Sequence, residues 1–325
     1  MNVIKISFLW TAGYDTLVNS VFFNLLKIIS KKEIIFTKPN NADILVLGPY
    51  NLESLSNRYK NILARRFKSK KIEDFLDNFQ KKIFFRENKP ITIFYSHENT
   101  RYNSIKSDFS ITCDFNFDND HHLRFPIWKE NIDWSHEGIR RSNNTFMINR
   151  FGSFYNIDDL LKPLGPSFLD KKNFCIFTSH MNEPRKTIYE VFSKHFQVDG
   201  YGPYFNKKIK NHNESNFKKL EILNKYAFNL CPHNAIYPGN YEEKIPEAFL
   251  GGCLPISWAD QNISHDFNIK AFINLNDYYK DNFQEIISLL KEKSFLKKFI
   301  DQPLLLTRPN LDNEIKFVKK VINSL

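Results

Sequence analysis

The feature that most restricts this chain is a repeated alternation of short apolar runs with longer amphipathic ones. Residues 3–9, 34–36, 44–47 and 91–95 read as strands. Residues 15–29 read as a helix, with Leu17, Val18, Val21, Phe22, Leu25 and Leu26 at helical spacing, and 72–79 as a second helical piece. The pattern resumes downstream. Strands are expected at 173–178, 197–200, 226–231 and 254–258, with helices at 185–195, 217–223, 245–249, 283–299 and 313–325. Strand and helix in repetition imply a parallel sheet covered by helices. At 325 residues the chain exceeds what one core usually supports, so two domains of roughly 150 residues are expected. The Pro- and Gly-containing run from Lys162 to Lys172 marks the boundary, which gives Rossmann-like lobes over 1–165 and 166–325. Two such α/β lobes facing across a cleft would bind ligands at the carboxyl ends of their strands.

Composition narrows the class of partner. Hydrophobic residues make up 42% and aromatics 15%, enough for two packed cores and unlike a disordered chain. The formal charge of +10 suggests an anionic partner: nucleic acid, a membrane surface or a phosphorylated small molecule. The lysines are dispersed, however, as at Lys68, Lys70, Lys71, Lys81 and Lys82, and no basic cluster interleaved with aromatics forms a nucleic-acid motif. Cys113, Cys175, Cys231 and Cys253 lie far apart among apolar neighbours, as buried thiols of a reduced setting do. No signal peptide opens the chain and no run of about 18 apolar residues spans a bilayer. A cytoplasmic protein, at most peripheral at the inner membrane face, is expected.

The chemistry concentrates in 226–258, which reads as strand, loop, helix, Gly251-Gly252 turn, strand. The loop, with Asn234, Gly239, Asn240 and Tyr241, delivers Glu243 and Lys244 to the first turn of a helix. Unpaired N–H groups and the positive dipole end suit a diphosphate there. Lys244 adds a point charge, and Glu243 can accept from sugar or ribose hydroxyls.

Phe228-Asn229-Leu230, Asn234, Glu243-Lys244, Ala248 and Pro255-Ile256-Ser257-Trp258 follow one another in an order that resembles the α-1,3/4-fucosyltransferases, glycosyltransferase family 10. Upstream, Ser179 to Arg185 with Tyr189, and Val198-Asp199-Gly200-Tyr201-Gly202, look like that family's segments after two strands. So do Phe94 to Asn99, Asp108 to Phe115 and Leu123 to Trp128. The likeness covers about 94–258. It departs at Glu242, where the family has Thr, at Asn240 for Tyr, at His233 for Glu and at Ala259 for Gly.

The resemblance implies a GT-B-like fold and an inverting transfer of L-fucose from GDP-fucose to a glycan hydroxyl, on an N-acetylglucosamine-containing oligosaccharide or glycoconjugate. It gives Glu98 the role of catalytic base and places Glu243 at the reacting centre. Arg185 becomes the diphosphate clamp, and Asn234, Asn240, Tyr241, Glu243, Lys244 and Tyr201 become donor-binding residues. A base at the acceptor and cations at the leaving diphosphate are what such a displacement needs. With Arg185 and Lys244 supplying the charge, no cofactor or divalent metal is expected beyond the donor. Asp118-Asn119-Asp120 is the nearest approach to a metal motif and reads as a solvated loop. Tyr201 and Trp258 serve either stacking or packing. A different nucleotide sugar on the same fold, a catalytically dead sugar-binding relative and a basic nucleic-acid-binding protein are the competing readings.

Overall fold

The computed structural model describes residues 3–9, 11, 17–50, 89–115, 118–142, 150–171, 173–205, 218–233 and 235–325. It resolves into two compact units, Met1–Phe125 with Glu137–Arg141 and Leu311–Leu325, and Pro126–His136 with Ser142–Asn310. The expected helix at 72–79 and the dispersed lysines before it lie outside the described residues. Among the described residues no helix is long and apolar enough to cross a membrane.

The first unit is a six-stranded, wholly parallel sheet. Its strands are β1 (Val3–Leu9), β2 (Glu33–Phe36), β3 (Ile44–Leu47), β4 (Ile91–Tyr95), β5 (Phe109–Thr112) and β6 (His122–Arg124), in the order β2-β1-β3-β4-β5-β6. All four residues of β3 are buried, as expected of a parallel strand with both faces covered. Leu17 and Val18 are helical, the run breaks at Asn19 and Ser20, and helix α1 (Val21–Ser30) starts anew where Ser20 caps it by accepting from the Phe23 N–H at 3.4 Å. Val21, Phe22, Phe23, Leu25 and Leu26 form its buried face. The C-terminal helix Asp312–Asn323 packs on α1 and places Phe317 edge-on to Phe22 and Phe109.

The second unit is a five-stranded parallel sheet of β7 (Phe174–Phe177), β8 (Val198–Tyr201), β9 (Phe228–Leu230), β10 (Leu254–Ser257) and β11 (Ile273–Asn274), ordered β11-β10-β9-β7-β8. Its helices include α2 (Ile157–Leu161), α3 (Arg185–Ser193), α4 (Lys219–Leu223), α5 (Lys244–Leu250) and α6 (Gln284–Leu289). Phe174 stacks between Phe196 and Phe228, at centroid distances of 4.6 and 4.5 Å, at the centre of this unit's core. The expected helix over 283–299 is broken. Lys291 N–H donates to Ser288 O and Glu292 N–H to Leu289 O, closing a tight turn that the continuing apolar period conceals.

Two parallel-sheet units are what the alternation foretold, but the division differs from 165/166. The Pro-rich run is stitched into the second unit, where Leu164 and Gly165 N–H groups donate to the carbonyls of Gln302 and Ile300. The last helix instead belongs to the first unit, against α1.

Candidate functional site

In the second unit the carboxyl ends of β7 and β9 converge on Arg185. Thr178 follows β7, and Pro232 and His233 follow β9. The Arg185 guanidinium, 6% exposed, donates from Nε to the Pro232 carbonyl at 3.3 Å and from Nη1 to Thr178 Oγ1 at 3.3 Å and the His180 carbonyl at 3.5 Å. Burial lowers its pKa, while Glu242 and Glu243 favour its charged form. Gly202 permits this packing. Its φ is +102°, and a Cβ there would lie 2.4 Å from the Thr178 carbonyl oxygen.

The second cation arrives from the loop that starts α5. Lys244 pairs with Glu242, and Arg185 Nη2 lies 3.9 Å from the same Glu242 Oε2. One carboxylate therefore sits between the two cations expected to hold a diphosphate. Burial works against the Glu242 charge, yet Lys244, His233 and Arg185 outweigh it and hold the carboxyl down to about 2. His233 is buried beside this group with neither ring nitrogen hydrogen-bonded among the described residues, and burial pushes its pKa down.

Glu243, 7% exposed, faces Arg150, whose Nη2 lies 3.5 Å from Glu243 Oε1 and 4.0 Å from Glu247 Oε2. Glu247, wholly buried on α5, also pairs with Lys219 of α4. Burial lowers the Lys219 pKa, and Glu247 acts against that. This chain of ions fixes the start of α5 against α4 and residue 150. Sequence reading missed Arg150, Lys219 and Glu247, since charges far apart in the chain carry no local signal of pairing. Glu242 and His233 did stand out, as departures from the family pattern.

The other expected residues have varied settings. Tyr241 is buried, with its hydroxyl donating to Asp260 at 3.0 Å, and burial raises its phenol pKa. Its side chain therefore ties the loop to Asp260. Asn240 is buried too, its N–H donating to the Tyr237 carbonyl. Tyr201 stacks on Phe177 at 5.1 Å and its hydroxyl lies 2.6 Å from that of Tyr226, which donates to Asp199. Trp258 packs against Tyr279 and Phe283. Asn234 lies outside the described residues. Gly251 and Gly252 make the tight turn into β10, and a Cβ on Gly251 would meet the Leu223 Cβ at 2.4 Å.

In the first unit, Glu98 follows β4 and is exposed. Its N–H donates to Ser96 Oγ at 3.1 Å, and Tyr50, just after β3, donates its hydroxyl to Glu98 Oε1 at 2.8 Å. Asp118 and Asp120 are exposed, the latter paired with Lys320. Among the described residues no group of three or more His, Cys, Asp or Glu is placed to hold a metal. All four cysteines are buried and unbridged.

Residues 169–301 match the family model described as glycosyltransferase family 10 (fucosyltransferase) C-term. The alpha-(1,3)-fucosyltransferase FucT of Helicobacter pylori is 27% identical over 239 residues, which cover 65% of this chain and 47% of that protein. The chain thus spans about half the length of that curated relative. A crystal structure of an alpha1,3-fucosyltransferase with GDP-fucose aligns with TM-score 0.64 at 20% identity, over 98% of this chain and 90% of that one. A further crystal structure of an alpha1,3-fucosyltransferase aligns with TM-score 0.63, also at 20% identity, over 99% of this chain and 89% of that one. The fold is accordingly of the GT-B kind, and the likeness read from the motifs is borne out.

Proposed function

We propose that the protein is a glycosyltransferase that moves L-fucose from GDP-fucose to a glycan hydroxyl, a reading supported by the match of residues 169–301 to the C-terminal model of the family 10 fucosyltransferases. The observation that carries this reading is the pairing of Arg185 and Lys244 around one anion at the carboxyl end of the sheet. The guanidinium is fixed by three acceptors on Nε and Nη1, which leaves Nη2, the atom nearest Glu242, to meet a phosphate oxygen, and Lys244 adds a point charge.

In this reading Glu98 takes the proton from the acceptor hydroxyl as its oxygen attacks the anomeric carbon. The bond to the diphosphate breaks with inversion, and Arg185 and Lys244 neutralise the charge gathering on GDP. The Tyr50 hydroxyl orients the Glu98 carboxylate. The Arg150–Glu243–Glu247–Lys219 chain holds the start of α5, and with it Lys244, in place. Neutralisation is assigned to these cations rather than to a divalent metal, and the acceptor class to N-acetylglucosamine-containing oligosaccharides or glycoconjugates.

Transfer of labelled fucose from GDP-fucose to an N-acetyllactosamine acceptor tests the proposal. The wild type is expected to transfer, and Glu98→Gln to lose about 10²–10⁴-fold in kcat with KM for the donor unchanged. Full rate in Glu98→Gln removes the base assignment. The Glu242 carboxylate among the donor cations favours one competing reading, a different nucleotide sugar. Transfer from a UDP-sugar in place of GDP-fucose would establish it.

A further inference from the structure

The Glu242 carboxylate occupies the place where the proposed reading needs an anion to arrive from solution. Both of its cationic neighbours are the proposed diphosphate clamp. Arg185 Nη2 lies 3.9 Å from Glu242 Oε2, and Lys244 pairs with the same oxygen. The three side chains are poorly exposed, at 7% for Arg185, 13% for Lys244 and 16% for Glu242, so water screens their interaction weakly. Next to them His233 is buried with both ring nitrogens unbonded among the described residues. A polar group in that state has hydrogen-bonding capacity that the present arrangement does not use.

Resting on the donor-site assignment above, we propose that Glu242 is an internal competitor of the donor. Its carboxylate mimics the diphosphate on Arg185 and Lys244 and must leave both cations before a diphosphate binds there. An incoming diphosphate and a retained carboxylate would be like charges sharing two cations at close range, which a poorly hydrated site does not tolerate. Cations that need no incoming partner in the resting state are also stable in the resting state, since removing the partner of a buried charge is strongly destabilising. Glu242 thus keeps the empty clamp folded and sets a threshold for occupation.

Inorganic pyrophosphate is the first probe because it carries the anion without base or sugar. The proposal expects Glu242→Gln and Glu242→Ala to bind pyrophosphate and GDP at least about tenfold more tightly than wild type, a coupling of the usual size between competing ligands. It also expects both variants to melt lower than wild type without ligand and to gain more from saturating pyrophosphate. Crystals of the wild type soaked with pyrophosphate supply a readout that needs no variant. Glu242 should be out of ion-pair reach of Arg185 and Lys244, with the diphosphate between them.

Equal or weaker pyrophosphate binding by the variants overturns the proposal, as does pyrophosphate bound with Glu242 still on both cations, or none bound at these cations in any form of the protein. If pyrophosphate binding tightens in Glu242→Gln while no form binds GDP over UDP, the internal competitor stands and the GDP-sugar assignment falls. If wild type and variants bind GDP equally, the donor site stands and the competitor falls.

Discussion

Single residues carry the most specific chemistry in this chain, and Glu242 carries an acid-dependent part of its stability. Its carboxyl ionises at 4.5 in the ordinary state and at about 2 in the folded protein. Between those values the unfolded chain binds the extra proton, so stability rises with pH across that window. The contribution is complete above about pH 4.5 and is lost as pH falls toward 2. Denaturant midpoints measured from pH 5 to pH 2.5 should therefore fall more steeply for wild type than for Glu242→Gln, and parallel curves would show that the carboxylate is not held by Lys244 and Arg185. The residue scale also shows what a sequence can and cannot disclose. Arg185, Glu243 and Lys244 were legible because they sit in ordered motifs. Tyr241 was legible as part of the loop, but its bond to Asp260 was not, because the partner is 19 residues away in the chain. Arg150 left no trace at all: an isolated arginine acquires its meaning only when Glu243 and Glu247 fold onto it.

Among the elements, the strands of parallel sheet were the easiest to see. The expected bounds of β1, β3 and β4 coincide with those observed; β3 is an unbroken buried apolar run, whereas β1 keeps its strand pattern despite Lys5 and Ser7. Strands β5 and β6 are less legible, because Ser110, Thr112 and His122 interrupt the apolar run. The structure buries these polar groups and brings Ser110 Oγ within 2.9 Å of His122 Nδ1. The placement of α5 depends on ions rather than on apolar contacts alone. Lys219→Met should destabilise the protein by about 3–5 kcal/mol, because it strands the buried Glu247 carboxylate with a single distant cation. Adding Glu247→Leu should restore part of that loss. A double variant no more stable than the single one would mean that Lys219 and Glu247 do not act as a pair.

On the scale of the whole molecule, fold class and the presence of two α/β units were readable from alternation and length, whereas the path of the chain between them was not. The Pro-rich run looked like a boundary because proline and glycine end elements locally. Here those residues pair with 300–303 inside the second unit, and the true exchange comes at the end, where the last helix returns to α1. No local pattern encodes a return over almost three hundred residues. Deleting Leu311–Leu325 would uncover Phe22 and Phe109 and remove the burial of Phe317, Val318 and Val321. A fall in Tm of more than about 5 °C is expected in a melting experiment. An unchanged Tm would detach the helix from the first unit's stability.

The assignment of Arg185 and Lys244 as a nucleoside diphosphate site is tested by calorimetric titration of GDP into wild type and into Arg185→Ala/Lys244→Ala. The wild type should bind GDP more tightly than UDP, and the double variant, still folded by its melting curve, should lose at least about a hundredfold in affinity, the sum of two charge-assisted contacts. GDP affinity unchanged in the double variant would contradict the assignment.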